Sequence, residues 1–299
     1  MSSSRKILSI IIPSYKETYL LTTLNNILDC ARGDIEIFVN VDDGAVIKTS
    51  KKDPRVTFHY AKSPLGMRGG INKGLAQARG KYVMKCDAHC VFAPGFDKAI
   101  TENMEDNWLV IPRRYSLYAD GWQRDLRFPP KDYHYLAYPA QSRFYGKAMF
   151  PVVWKERGIT RKDYQIDDTM IMQGSCYIAS RKYFMKKVGF LDDKQETYSP
   201  FGGEQMEVGL KYWLGGGRIK VNKETWYAHL FKNSRYYREI GYGSRSYKVG
   251  IKAKGSWEWS TKHWMNNEEP GMIHPFSWLI EKFWPVPTWP VDRSLWQQT

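Results

Sequence analysis

The residues with the most distinctive chemistry are Asp87 and His89, which stand two positions apart at the end of an apolar run. Residues i and i+2 of a strand or its immediate exit point the same way, so both side chains can address one site. A carboxylate together with an imidazole suits a divalent ion such as manganese, zinc or iron. His229 lies in another apolar stretch and could complete the set. The sequence therefore predicts a metal site formed by Asp87, His89 and His229.

Each of these residues also has a plainer interpretation. A lone Asp-x-His motif is compatible with a surface loop, and a histidine between apolar residues is more often a core residue. Glu204, which follows Gly202 and Gly203, could be a charge favoured at a helix N-terminus. The metal hypothesis depends on the strand that ends at Asp87 and on the presence of all the companion residues in one chain.

The elements that position these residues follow from the hydrophobic pattern of the first part of the chain. Short apolar runs predict strands, and apolar residues at helical spacing predict helices. The predicted strands are Ile7–Ile12, Ile35–Val41, Arg55–Tyr60 and Gly80–Cys86, and the predicted helices are Thr18–Ala31 and Gly69–Arg79. Their alternation predicts an α/β fold with a mostly parallel sheet flanked by helices. Ligands of such sheets bind beyond the carboxyl ends of the strands, where Asp42, Asp43 and Asp87 stand.

The pattern weakens in the second part of the chain. From Trp108 to Asp168 we predict irregular strands and loops that cover the site. The further predicted elements are strands over Thr169–Ser180, Arg218–Asn222 and Trp226–Phe231, and helices over Arg181–Val188 and Glu204–Leu214. The predicted domains are a main domain over residues 1–235 and a basic, aromatic, Trp/Pro-rich C-terminal extension over residues 236–299. We expect this extension to pack back on the main domain, because exposed tryptophans at that density would promote aggregation.

The composition limits the class of protein. Apolar residues make up 42% and charged residues 25% of the chain, which excludes wholesale disorder. The formal net charge of +14 favours a large acidic partner, either nucleic acid or an anionic membrane surface. No stretch approaches the roughly 20 apolar residues of a membrane span, and the N-terminus is not a signal peptide, so we expect a cytoplasmic protein. The four cysteines are too few for a disulfide scaffold.

Four blocks of the sequence, in this order, resemble the GT-A glycosyltransferases, the large inverting family together with the polypeptide N-acetylgalactosaminyltransferases. The blocks are SIIIPSYKE, EIFVNVDDGA, GLAQARGKYVMKCDAHC, and FGGEQMEVGLKYWLGGGRI with YAHLF downstream. The third is very similar to the polypeptide-transferase block that ends in a metal-binding Asp-x-His-Cys motif. The resemblance covers roughly residues 7–235. It implies a Rossmann-like GT-A catalytic domain and a metal-dependent glycosyltransferase.

The resemblance also implies roles for individual residues. It implies a UDP-sugar donor whose diphosphate is bridged by Mn²⁺, or Mg²⁺, on the predicted metal ligands. Asp43 would contact the uridine part with Asp42 beside it, and the glycines before Glu204 would help to hold the sugar. The full predicted donor-binding set is Pro13, Tyr15, Glu17, Asp42, Asp43, Arg68, Asp87, Gly202 and Gly203. The predicted catalytic residues are Glu204 and Gln205.

Two positions depart from the family pattern. Phe201 stands where the polypeptide transferases have tryptophan, which alters the wall of the sugar or acceptor site. Gln205 stands where inverting members carry an aspartate that acts as general base. Because an amide cannot accept that proton, we expect retention of anomeric configuration, although Glu204 or another carboxylate could still serve as base.

Three hypotheses for the acceptor remain open at this point. The leading one is a 5-hydroxymethylpyrimidine in DNA, as in some bacteriophage enzymes, because the chain is basic and has aromatic stretches at Arg113–Arg143 and Lys232–Trp264. The second is a protein Ser/Thr or a surface-glycan precursor. The third is a non-catalytic nucleic-acid- or sugar-binding module on the same scaffold. The sequence predicts neither the sugar nor the oligomeric state.

Overall fold

The computed structural model describes residues 7–48, 52–141, 148–200, 202–231 and 256–297. Its first part alternates strands and helices as the sequence predicts. In chain order these elements are β1 (Leu8–Ser14), α1 (Leu20–Cys30), β2 (Ile35–Val41), β3 (Val56–Tyr60), α2 (Gly66–Gln77), β4 (Tyr82–Cys86), β5 (Cys90–Phe92) and α3 (Phe96–Thr101). Strands β2 and β4 are buried along their whole length, which explains their continuous apolar runs.

The second part of the chain contributes the two longest strands, β6 and β12, and several short ones. In chain order its elements are β6 (Trp108–Tyr118), β7 (Gln123–Arg124), β8 (His134–Leu136), β9 (Pro151–Val153), α4 (Lys155–Thr160), β10 (Ile166–Asp168), β11 (Cys176–Ser180), α5 (Arg181–Lys187), α6 (Glu204–Leu214), β12 (Arg218–His229), α7 (256–265) and α8 (Phe276–Lys282). Single 3-10 turns cover Pro139–Gln141 and Arg293–Leu295. The helix predicted over Glu204–Leu214 is confirmed.

One large sheet forms the centre of the molecule, with the strand order β10-β12-β6-β11-β4-β1-β2-β3. The half made of β4, β1, β2 and β3 is parallel throughout. Strand β11 runs antiparallel between β4 and β6, and β12 lies parallel to β6. The short β5 pairs with the end of β12 on its other side. The α/β class, with a central sheet flanked by helices, is confirmed.

Three element predictions in the second part were wrong. The region expected to be irregular contains β6, an 11-residue strand in the middle of the sheet. Its apolar start is followed by Arg113 and Arg114, which hide the strand pattern because arginine is rarely buried. The strand predicted over Thr169–Ser180 is regular only from Cys176. The two strands predicted around residue 224 are one strand, β12, with a register shift between Asn222 and Trp226.

Helix α2 lies directly against β1. A Cβ built on Gly74 would lie 2.5 Å from Cγ2 of Ile11, so the strand leaves no room for a side chain there. Nearer the start of α2, a Cβ built on Gly70 would lie 3.5 Å from the Cβ atoms of Pro13 and Asn40, so this part of the helix lies against the ends of β1 and β2. The loops at the carboxyl edge of the parallel half are therefore held together at one place.

The described residues after 255 share the core of the sheet. Trp257, Trp264 and Trp289 are buried in the same apolar cluster as β1 and β4. The indole Nε1 of Trp289 donates to the carbonyl oxygen of Leu136, 2.6 Å away. The predicted boundary at residue 235 lies outside the described residues, so the division into a main domain and an extension stays a prediction. None of the helices described has the length and apolarity to cross a bilayer.

Candidate metal and donor site

Three predicted metal ligands lie together at the carboxyl edge of the sheet. Asp87 follows β4, His89 immediately precedes β5, and His229 is the last residue of β12. Because β5 pairs with β12 in a register that aligns Cys90 with His229, the two histidines become neighbours. Nε2 of His229 lies 3.1 Å from Oδ2 of Asp87, and Nε2 of His89 lies 3.8 Å from the same oxygen. One donor atom from each residue fits within 4.8 Å of the others.

Asp87 is held in place by Lys85, a buried residue of β4. Lys85 donates from Nζ to Oδ1 of Asp87 at 2.7 Å and to the carbonyl oxygen of Gly174 at 2.6 Å. The same ammonium forms an ion pair with Oε2 of Glu204 at 3.3 Å. Burial lowers the pKa of Lys85, but the two carboxylates outweigh it and raise that pKa, so the ammonium stays charged. Lys85 therefore links the metal-ligand aspartate to the start of α6.

The histidine ring of residue 89 is held by a second carboxylate. Its Nδ1 donates to Oε2 of Glu17, 3.1 Å away, which leaves Nε2 facing Asp87. A metal-binding histidine typically donates its other ring N–H to a carboxylate in this way, which sets the tautomer. The carboxylate of Glu17 also accepts from the backbone N–H of Tyr19, and the role predicted for Glu17 in donor binding stays a prediction.

The protonation states suit a cation. Burial lowers the pKa of His229 to about 4 although its contact with Asp87 opposes the shift, so this imidazole is neutral near pH 7. Burial alone would raise the pKa of Asp87, but Lys85 and the two histidines outweigh it and lower that pKa. One carboxylate and two imidazoles are ligands that manganese, zinc and iron accept. The residues present therefore fit a divalent metal ion.

The predicted uridine-binding acids differ in their surroundings. Asp42 is buried, and its two oxygens accept hydrogen bonds from the backbone N–H groups of Leu65 and Gly66 at the start of α2. Burial raises the pKa of Asp42, although these two hydrogen bonds lower it. Asp43 is half-buried and accepts from the backbone N–H of Lys16 at 2.8 Å. Asp43 is thus the more accessible of the two carboxylates.

The first predicted donor-binding segment borders these acids. Pro13 lies near the end of β1, and Tyr15 follows the strand; both are half-buried. Lys16 next to them has a left-handed backbone with φ of 47°, which turns the chain sharply and directs its N–H to Asp43. The segment therefore connects the edge of β1 with the carboxylate at the end of β2.

The predicted sugar-binding segment begins α6. Gly203 is the residue before the helix and has φ of 61°, where a Cβ would lie 2.9 Å from Cδ1 of Tyr198. Glu204 is buried, and burial raises its pKa although Lys85 opposes the shift. A Cβ built on Gly174 would lie 3.1 Å from Oε2 of Glu204 and 3.7 Å from Oε1 of Gln205. Both side chains at the helix start therefore approach the backbone of Gly174.

Arg68 lies inside the protein rather than at the site surface. Its guanidinium pairs with Glu207 and donates from Nε to the carbonyl oxygen of Gly202 at 2.9 Å. Nη1 also donates to the carbonyl oxygen of Asp192, and the guanidinium lies over the ring of Tyr198. Arg68 therefore fastens α2 to the segment that precedes α6. The side chain of Phe201, noted as a departure from the family pattern, lies outside the described residues.

Sequence reasoning missed two residues next to the site. Lys85 is the one charged residue in the strand YVMKC. It stands two positions before Asp87, so both side chains lie on the same face of the strand, and this spacing could have identified Lys85. Arg114 on β6 is fully buried near His229, and its charge helps to lower the pKa of that histidine. Arg114 falls within the basic stretch Arg113–Arg143, but its place near the metal ligands was not predicted because β6 was not predicted as a strand.

Comparisons with known proteins found similar sequences. The family model described as glycosyl transferase family 2 matches residues 9–186. Human polypeptide N-acetylgalactosaminyltransferase 18 is 36% identical over 64 residues, which is 21% of this chain and 10% of that protein. Polypeptide N-acetylgalactosaminyltransferase 3 of Drosophila melanogaster is 23% identical over 249 residues, covering 74% and 36% of the two proteins. The chain spans less than half the length of these curated relatives.

The structural comparison shows the same fold. The crystal structure of GalNAc-T7 with UDP, GalNAc and Mn²⁺ superposes with a TM-score of 0.64 at 15% sequence identity. The match covers 94% of this chain and 57% of that chain. At this identity the likeness concerns the fold alone.

Proposed function

The chain belongs to glycosyl transferase family 2 and has the GT-A fold, and on that premise we propose that it transfers a sugar from a UDP-sugar to a hydroxyl group in a metal-dependent reaction. The observation that carries this proposal is the meeting of Asp87, His89 and His229 at the carboxyl edge of the sheet. These residues are distant along the chain. The segment after β1 contacts both Asp43, through the backbone N–H of Lys16, and His89, through Glu17, which supports a nucleotide bound next to the cation.

The metal ion supplies charge neutralisation of the diphosphate leaving group, which is Lewis-acid assistance. Asp87, His89 and His229 would hold it; Mn²⁺ is one of the ions that accept this mixed donor set, and it is the ion bound in the crystal structure of GalNAc-T7. The chain's other residues bind and orient the donor. Asp43 contacts the uridine part, Pro13 and Tyr15 form the wall beside it, and Gly202, Gly203 and Glu204 hold the sugar.

The residue after Glu204 supports a stereochemical proposal. Gln205 carries an amide, which cannot accept the proton of an incoming hydroxyl group. Glu204 is paired with the ammonium of Lys85, so its carboxylate is not free to act as a general base toward the acceptor. We therefore favour retention of the anomeric configuration, with Glu204 and Gln205 positioning the reacting sugar.

The proposed acceptor is a 5-hydroxymethylpyrimidine in DNA. The net charge of +14 supports a polyanionic partner. Within the described part of the stretch Arg113–Arg143, Arg113 and Arg127 form local ion pairs, whereas Arg124 lies 4.0 Å over the ring of Trp226. The stretch Lys232–Trp264 lies outside the described residues up to residue 255.

A second candidate acceptor is a Ser or Thr hydroxyl group of a protein. It is favoured by the similar proteins, which are polypeptide N-acetylgalactosaminyltransferases. The two candidates share the donor chemistry and differ only in what approaches the metal site. A test of the donor reaction is therefore separate from a test of the acceptor.

The donor reaction is tested by UDP release from a panel of UDP-sugars with Mn²⁺. We expect release that stops on addition of EDTA, and we expect Asp87→Ala and His229→Ala each to reduce it to background while the protein stays folded. Asp29→Ala, an exposed acid on α1, is the matched control. Near-normal metal-dependent release by either ligand variant would show that the residue is not a ligand, and no release with any sugar would refute the proposed function.

The acceptor is tested with DNA that contains 5-hydroxymethylcytosine or 5-hydroxymethyluracil, and in parallel with Ser/Thr peptides. Nucleoside mass spectrometry should detect a hexosyl adduct on the modified base. A glycosylated peptide without a DNA product would establish the protein acceptor instead and exclude the DNA assignment.

A further inference from the structure

Lys16 is an exposed lysine in the segment that joins the predicted nucleotide site to the metal ligands. Its backbone N–H donates to Oδ2 of Asp43 at 2.8 Å, and the next residue, Glu17, contacts Nδ1 of His89 at 3.1 Å. The segment therefore spans the gap between the acid predicted to contact uridine and a predicted metal ligand. In a bound UDP-sugar the diphosphate would span the same gap, because it joins uridine to the sugar and binds the metal ion.

The ammonium group of Lys16 forms no ion pair with an acid in the described part of the chain. The two acids next to its backbone are engaged with other groups. Asp43 accepts from two backbone N–H groups, and Glu17 contacts the ring of His89. Nζ of Lys16 lies 5.9 Å from the centroid of the Tyr15 ring, on the side of a predicted donor-binding residue. The positive charge is therefore exposed and available to an anion.

The backbone of Lys16 also indicates a task for its side chain. It is left-handed, with φ of 47°. This conformation is unfavourable for most residues with a Cβ, whereas glycine adopts it freely and asparagine tolerates it. Unfavourable backbone conformations of this kind are concentrated at binding and active sites. The presence of lysine, where asparagine would suit the turn better, points to a role for the ammonium group.

The edge of the sheet around this ammonium group is rich in carboxylates. Its acids are Asp42, Asp43, Asp87 and Glu17. Lys85, the buried cation beside Asp87, is already engaged with two carboxylates and a carbonyl oxygen. A diphosphate that approaches this edge meets several negative charges, of which a cation on Asp87 would offset only a part. An exposed and unpaired ammonium group would supply further attraction.

We propose that Lys16 binds the diphosphate of the UDP-sugar donor. This inference rests on the proposed transfer reaction and adds a residue to its donor site. A lysine ammonium group has three N–H donors and binds phosphate oxygens as a compact point charge. The side chain of Lys16 is reachable from solvent, whereas Lys85 and Arg68 are closed off by burial. Lys16 therefore has both the charge and the access that a diphosphate requires.

The test compares Lys16→Asn with Lys98→Gln, which removes the same charge from an exposed position on α3. Because asparagine suits the left-handed backbone, Lys16→Asn should be at least as stable as the wild-type protein in thermal unfolding. Binding of UDP and of uridine is measured by calorimetry with Mn²⁺ present. We expect Lys16→Asn to weaken UDP binding about tenfold, the effect of one hydrogen bond between charged groups, and uridine binding less than about twofold. Lys16→Arg, which keeps the charge, should recover most of the UDP affinity.

The assignment of Lys16 is wrong if Lys16→Asn and Lys98→Gln bind UDP equally well. It is also wrong if the affinities for UDP and uridine fall by the same factor, because the residue would then act on the nucleoside or on the turn. A third contradicting result is that Lys16→Arg binds UDP no better than Lys16→Asn. Failure of the proposed function looks different, because the wild-type protein itself would then bind no UDP with Mn²⁺, and the role of Lys16 would be refuted with it.

Discussion

At the scale of single residues, the orientation and tautomer of the His89 ring depend on Glu17. The carboxylate of Glu17 accepts from Nδ1, and this contact turns Nε2 toward Asp87. Without it, the ring could rotate or exchange tautomers, and the nitrogen that faces the site would no longer be defined. The residue is therefore expected to act on metal affinity through His89 rather than on the nucleotide.

Glu17→Gln is expected to weaken Mn²⁺ binding about 10–100-fold, the usual effect of removing such a supporting carboxylate. At saturating Mn²⁺ the rate of UDP release should return close to that of the wild-type protein. The measurement is a Mn²⁺ titration of UDP release at fixed UDP-sugar. An unchanged half-saturating Mn²⁺ concentration with a weaker UDP-sugar KM would instead place Glu17 on the donor.

His134 provides a prediction about pH and stability. Its pKa in the folded protein lies well below the value of about 6.5 that it takes when unfolded, because of burial, Arg114 and Lys131. Below about pH 6.5 the unfolded chain binds a proton that the folded chain does not, so stability falls as pH falls. Above that pH the effect is absent.

Urea unfolding between pH 7.5 and pH 5, with EDTA present, should show this loss. One such histidine contributes about 1.4 kcal/mol per pH unit below pH 6.5. His134→Gln, whose amide oxygen can still accept from Arg114, should have a shallower dependence of stability on pH than the wild-type protein. Equal slopes for the two proteins would mean that His134 is protonated in the folded state.

At the scale of elements, the parallel half of the sheet was predictable and the other half was not. Strands β1, β2 and β4 are apolar runs because helices cover both faces, so each run identifies its strand. Strand β6 contains Arg113 and Arg114, and its burial depends on partners elsewhere, such as Asp132 for Arg113. The metal ligands were predictable because each stands at the end or the edge of an apolar run. Arg114 was not predictable, because its strand was not recognised. Lys85 was overlooked, although its position two residues before Asp87 on the same strand face could have identified it.

The contact between α2 and β1 gives a prediction at this scale. Gly74→Ala should destabilise the protein by about 1–3 kcal/mol, because the added methyl group would overlap the side chain of Ile11. Gly158→Ala on α4 is the control, since a Cβ there meets nothing within 4 Å. That substitution should stabilise by up to about 1 kcal/mol, the helix-propensity difference.

The two glycine variants are compared by urea unfolding at one pH. Gly74→Ala should cost less stability in an Ile11→Ala background than in the wild-type protein, because alanine lacks the two γ carbons that the added methyl group would overlap. Equal stability of Gly74→Ala and Gly158→Ala would mean that α2 can move away from the strand at little cost.

At the scale of the whole molecule, the residues after 255 belong to the same core as the sheet. Trp264 donates from Nε1 to the hydroxyl oxygen of Tyr198 at 2.8 Å, and Thr261 accepts from the backbone N–H of Met149. These contacts tie α7 to the segments on both sides of β11. A catalytic domain that ended near residue 235 would lack these partners and leave apolar side chains uncovered.

A chain truncated after residue 235 is therefore expected to lose cooperative folding. Near-ultraviolet circular dichroism should weaken, and binding of a hydrophobic dye should increase, relative to the full chain. Removal of the last two residues only, which lie outside the described part, is the control. A truncated chain that unfolds in one sharp transition would show that residues 1–235 form an independent domain.

The two oxygens of Asp87 have separate tasks. One is held by Lys85 from within the sheet, and the other faces the histidine nitrogens. A cation can therefore bind and leave on the outer oxygen while the inner contact stays in place. The apo and metal-loaded proteins should thus differ little in backbone structure, and metal exchange should proceed without any rearrangement of the strands beneath it.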